Sequence, residues 1–145
     1  MGLLYSKTYP YIIALLCSIL SYKFSSYIPY PNIPTILPQT MTFGGIIVGF
    51  FATTLTILYS IDESKTLIKK IKKADYYDLI VSYLFQTIYS GFILASISTA
   101  GLFMNFQIVN IFDQIYFSIW VFTFISSLLL SFRIIRILGK ILSSN

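Results

Sequence analysis

The residues of this 145-residue chain that could do chemistry are concentrated in one stretch, residues 61–78, which forms a basic surface. Half of the ten lysines and arginines lie there: Lys65, Lys69, Lys70, Lys72 and Lys73. Leu67, Ile68 and Ile71 recur among them at helical spacing, which predicts a short amphipathic helix on the membrane surface. We expect these lysines to bind anionic lipid headgroups, and docking of a cytoplasmic protein partner is the alternative.

The residue types that most catalytic sites need are missing, so the sequence predicts a protein that is not an enzyme. Histidine is absent, which excludes a serine–histidine–aspartate triad, a cysteine–histidine pair and most metal centres. The single cysteine, Cys17, cannot form a disulfide within one chain. No glycine-rich phosphate loop is present. We therefore expect no catalytic residues, no cofactor and no metal.

Two polar side chains fall inside otherwise apolar stretches, Lys23 and Gln86. Such residues are costly in a bilayer, so each needs a partner or a route to water. Lys23 lies about one turn from the end of its stretch, where its side chain could reach the interface, or it could face a pore. The Gln86 amide could form an interhelical hydrogen bond or line a pore.

Small residues recur every fourth position in two of the apolar stretches. In one, the helix face carries Gly45, Gly49 and Thr53; in the other, it carries Gly91, Ala95 and Thr99. Small side chains let helix backbones approach closely in a membrane. The pattern predicts helix packing through these two faces, either within one copy, as natural partners of each other, or between copies.

The elements that position these residues are membrane spans. The chain is 57% hydrophobic and only 10% charged, and its mean hydropathy is +0.81, which is the composition of an integral membrane protein. We predict an all-α, polytopic fold that forms a single domain, a four-helix bundle with spans at about residues 10–28, 43–60, 79–104 and 115–132. The four prolines of residues 29–42 predict a rigid loop between the first two spans.

Counting cations predicts the topology. Nine lie in the two terminal flanks and the central stretch: Lys7, the five central lysines, Arg133, Arg136 and Lys140. The two opposite loops have none, so both termini and the basic stretch should be cytoplasmic. The net charge of +5 is explained by these topology signals, and we expect no nucleic-acid partner.

The run GFFATTLTILYS, followed by LIKKIKKADYYDLIVSYL, resembles a pattern in small bacterial four-span membrane proteins, some of which resemble membrane subunits of anti-phage defence systems. The resemblance covers about residues 44–84. It implies a protein of the bacterial inner membrane, an effector that perturbs the membrane when a soluble sensor partner signals. It implies no catalytic residue.

Two functions follow from these features. The first is an oligomeric membrane effector or pore, in which copies of the chain assemble through the small-residue faces. The second is a non-catalytic anchoring subunit of a larger membrane complex, in which the same faces bind different proteins.

Overall fold

The protein consists of four helices in the computed structural model, which describes residues 2–24, 27, 32–60, 76–104, 106 and 110–143. The helices are α1 (Gly2–Lys23), α2 (Ile33–Ser60), α3 (Tyr76–Gly101) and α4 (Ile111–Ser143). The described residues contain no strand. The predicted all-α fold is therefore confirmed.

Three helices are long and apolar enough to cross a membrane: Ile33–Ser60, Tyr77–Gly101 and Ile111–Gly139. The predicted span at residues 10–28 is not among the three found in the described part of the chain, and it stays a prediction. The predicted amphipathic helix and its five lysines lie in residues 61–75, outside the described residues.

The three candidate spans form the core of the bundle. Helix α3 lies between α2 and α4, and α1 packs on α4. One apolar cluster, at the end of the bundle nearest Ser60, contains six residues: Ile47, Phe51, Ile80, Tyr83, Leu84 and Ile134. The second, towards the other end, contains Ile33, Leu37, Leu94, Phe106 and Trp120. Both clusters draw residues from α2, α3 and α4, so these three helices are fixed to one another along their length.

The predicted rigid loop at residues 29–42 is wrong, because α2 begins at Ile33. Pro34 lies in the first turn, where a missing N–H costs no hydrogen bond. Pro38 lies inside the helix and does cost one, but Leu37 is fully buried against α3 and α4. This packing holds the turn helical. Helix α2 is 28 residues long, or about 42 Å, which exceeds the roughly 30 Å hydrocarbon core of a bilayer.

The fourth span is predicted at about residues 115–132, with its helix continuing beyond the membrane as an amphipathic tail. Helix α4 continues for eleven residues beyond Phe132, to Ser143. Its first turn is closed at Asn110, whose N–H donates to Asp113 Oδ2 at 2.9 Å. A carboxylate in this position stabilises a helix start through the exposed backbone donors and the helix dipole. The continuation places Arg133 within the helix.

Candidate functional site

The contact between α2 and α3 depends on Gly44, one residue before the predicted face. A Cβ atom on Gly44 would lie 2.7 Å from the Gly91 oxygen and 3.0 Å from the Ala95 nitrogen. A Cβ on Gly91 would lie 2.7 Å from Ile47 Cγ2. Gly91 and Ala95 of the predicted face therefore contact α2 within one copy. Gly45 and Gly49 do not meet them there, since a Cβ on either would have open space around it, and packing of that face between copies stays a prediction.

The open side of α2 carries a row of polar and small residues, which we call the α2 seam. Its members are Thr35, Gln39, Thr42, Gly45, Gly49, Thr53, Thr56 and Ser60. All are exposed, and they recur at intervals of three or four, so they share one helix face. The opposite face is the buried one, with Ile33, Leu37, Thr40, Gly44, Ile47 and Phe51. Exposed Ile46 and Ile57 lie within the arc of the seam, and exposed Phe50 lies at its edge.

The seam hydroxyls already donate hydrogen bonds to their own helix. Thr53 donates to the Gly49 oxygen at 2.8 Å, and Thr42 donates to the Pro38 oxygen at 2.9 Å. Thr56 and Ser60 make the same bond to residues four positions earlier. A hydroxyl that donates inward keeps its lone pairs outward. The seam therefore presents acceptor oxygens along a helix that could cross a membrane. On the other predicted face, Thr99 is half-buried and donates to the Ala95 oxygen at 2.8 Å.

A set of buried hydrogen bonds links the three core helices. Thr40 and Ser98 hydroxyls lie 3.0 Å apart, and Trp120 Nε1 donates to Ser98 Oγ at 3.2 Å. Further along, Ser127 donates to the Ser90 oxygen at 3.0 Å. Interhelical bonds of this kind are worth roughly 0.6 kcal/mol each in a membrane. They fix the register between the helices.

Gln86 finds its partner in Arg133, an arginine inside the bundle. The Arg133 guanidinium donates to Gln86 Oε1 at 2.9 Å. The guanidinium carbon lies 3.7 Å from the centre of the Tyr83 ring, within range of a cation–π interaction. Arg133 is only 3% exposed. This hydrogen bond joins α3 to α4, which is the interhelical alternative for Gln86.

The sequence analysis placed Arg133 in the cytoplasmic flank with Arg136 and Lys140. The structure shows it buried within α4, beside Ile134 of the apolar cluster nearest Ser60, inside the stretch Ile111–Gly139 that is apolar enough to cross a membrane. Arg136, one turn on, is exposed. The sequence feature that could have predicted this burial is Gln86, because an amide inside a span needs a partner on another helix.

The depth of this cluster follows from the register of α3. Asp78 in the first turn is exposed, and Tyr59 and Tyr77 form an edge-to-face pair there. Aromatic side chains of this kind mark the membrane interface. Gln86 lies eight residues beyond Asp78, or about 12 Å along the axis. If a hydrocarbon core of about 30 Å begins at Asp78, Gln86 and the guanidinium bonded to it lie about 0.4 of the way across.

Lys23 is the last residue of α1 and is exposed, a position from which its side chain can reach the interface. Within the described part of the chain, no group of three or more histidine, cysteine, aspartate or glutamate side chains could hold a metal ion.

Comparison with protein-family models, curated proteins and solved structures found no match.

Proposed function

We propose that this chain is a membrane effector of the pore type, and that its copies assemble along the α2 seam. The observation that carries the proposal is the open, polar seam on a helix that is apolar and long enough to span. In a single copy this face would meet lipid. Contact between two seams would bury the hydroxyl and amide groups against each other and let the backbones approach at Gly45 and Gly49.

The packed interior directs any aqueous path to the interface between copies. Tyr83, Leu84, Leu94 and Leu130 are at most 1% exposed, so side chains fill the space among α2, α3 and α4. The seam turns polar groups outward along the whole of α2. Copies that contact each other at Gly45 and Gly49 along one edge of the seam would leave the hydroxyl oxygens of its other edge to line such a path.

The number of spans and the side on which the termini lie are part of the same proposal. Helix α1 turns a broad apolar surface outward, with Ile12, Leu15, Leu16, Ile19 and Leu20 all more than half exposed. Such a surface suits lipid, and a 22-residue helix of about 33 Å is long enough to cross. We propose four spans with both termini cytoplasmic, in a bacterial inner membrane. The basic stretch at residues 61–78 would receive the signal of a cytoplasmic partner or of anionic lipid, as in an anti-phage defence system.

Expression in bacterial cells with a membrane-potential dye tests the function. The parent chain should depolarise the membrane when triggered, and Gly49→Leu, which places a bulky side chain on the seam, should reduce the rate at least tenfold. Gly139→Leu is the matched control, because Gly139 is also open but lies on α4. Immunoblots of the membrane fraction check that all three proteins are inserted.

Two outcomes contradict the proposal. Depolarisation that Gly49→Leu leaves unchanged would remove the seam from the mechanism. A parent that never depolarises the membrane, and that purifies in mild detergent with a different protein, would favour the anchoring subunit.

A further inference from the structure

The Arg133 cluster holds a permanent positive charge within the membrane field. The guanidinium bonds to Gln86 and stacks on Tyr83, and the arginine is 3% exposed. An arginine keeps its charge in proteins. Any movement of this side chain along the membrane normal therefore does work against the membrane potential.

One buried polar group beside the guanidinium lacks a hydrogen bond. The Tyr83 hydroxyl is buried and has no hydrogen-bond partner in the part of the chain that the structure describes. A buried hydroxyl without a partner carries a desolvation penalty that water would relieve. A second arrangement of α4 that admits water to this cluster would remove that penalty. The free energy of such an arrangement can therefore lie close to that of the buried one.

A route for the side chain exists on α4 itself. Arg133 lies ten residues before the end of the helix at Ser143, and exposed Arg136 is the next cation along it. Long cationic side chains reach from within a helix to the headgroups. The end of α2 at Ser60, the start of α3 and the end of α4 all lie on this side of the bundle.

We propose that Arg133 is a gating charge, through which the membrane potential sets the balance between two arrangements of α4. In one, the guanidinium is buried against Gln86 and Tyr83; in the other, it reaches the headgroups on the Ser143 side. A potential that is negative on that side favours the second. The proposal does not depend on oligomerisation or on a pore.

The size of the effect follows from the depth. Moving one charge across the whole membrane is worth about 2.3 kcal/mol per 100 mV. Movement through about 0.4 of the field therefore changes the equilibrium about fivefold per 100 mV.

The test uses the full chain in lipid vesicles, with a potassium diffusion potential set by valinomycin. The reporter is Ser131→Cys in a Cys17→Ser background, because Ser131 is only 9% exposed and lies half a turn from Arg133. A small methanethiolsulfonate measures its accessibility. We expect a potential of 100 mV, negative on the Ser143 side, to raise the modification rate about fivefold, and the opposite potential not to raise it.

Three variants separate the charge from packing. Arg133→Gln should lose the voltage dependence, Arg133→Lys should retain it, and Arg136→Gln, which removes an exposed cation one turn away, should retain it. Equal rates at 0 and 100 mV in the reporter protein would overturn the proposal, even if Arg133→Gln failed to fold. So would voltage dependence that persists in Arg133→Gln, that is lost in Arg136→Gln, or that is lost in Arg133→Lys.

Discussion

At the scale of the residue, Gly44 and Gly45 are adjacent and have opposite roles. A step of one residue turns the side-chain direction by about 100° on a helix, so Gly44 faces α3 while Gly45 faces outward. The four-residue spacing of Gly45, Gly49 and Thr53 predicted a face correctly, but spacing does not say which face meets the core. The apolar positions Leu37, Ile47 and Phe51, which share the side of Gly44, carry that information.

Replacement of these two glycines by alanine should separate their roles. Gly44→Ala places a Cβ against two backbone atoms of α3, which cannot rotate away, so we expect a loss of about 1–3 kcal/mol in the free energy of unfolding. Gly45→Ala meets open space and gains helix propensity, so its stability in detergent should be unchanged or higher by up to about 1 kcal/mol. Unfolding of the two variants by SDS titration measures both. Equal losses would show that α2 does not meet α3 through Gly44.

Arg133 could not be located from sequence for a related reason. A cation directly after an apolar run of about 20 residues is typical of a cytoplasmic flank. What keeps it inside is the tertiary contact with Gln86 and Tyr83, which joins residues 47 positions apart or more. The sequence did predict that Gln86 needs such a partner, and the structure identifies it.

At the scale of the element, the existence of the helices was predictable, and so were some of their ends. Apolar runs predicted the end of α2 at Ser60 and both ends of α3, Tyr76 and Gly101, within a few residues. The early start of α2 was missed because proline propensity was given more weight than burial: Leu37 and Thr40 are buried, and their contacts outweigh one lost hydrogen bond. The continuation of α4 beyond Phe132 was expected from the apolar residues between Arg133 and Lys140, but the burial of Arg133 was not.

The start of α4 gives a prediction about capping. Asp113 is 5% exposed, and its Oδ2 accepts the N–H of Asn110, so Asp113→Ala should lower the free energy of unfolding by about 0.5–2 kcal/mol. Asp113→Asn keeps an oxygen acceptor in the same place and should cost less. Thermal unfolding followed by circular dichroism in detergent compares them. If the asparagine variant lost as much stability as the alanine variant, the charge rather than the hydrogen bond would explain the effect.

At the scale of the whole molecule, the ends of the helices predict which residues face which side of the membrane. If α1 crosses as a fourth span, Lys23 and Ser60 lie on opposite sides. In a Cys17→Ser background, Lys23→Cys should react with an impermeant maleimide added to intact cells from which the outer membrane has been removed. Ser60→Cys should react only after the inner membrane is permeabilised. Reaction of both from the same side would reduce the number of spans or reverse one of them.

Assembly of copies along α2 is tested by a disulfide scan of this helix in native membranes, again without Cys17. If copies of the chain meet along the α2 seam, Gly49→Cys and Thr53→Cys should form oxidised dimers under copper phenanthroline. Ile47→Cys and Phe51→Cys, on the buried face of the same helix, should stay monomeric. Dimers at all four positions, or at none of them despite full insertion, would contradict assembly through the seam.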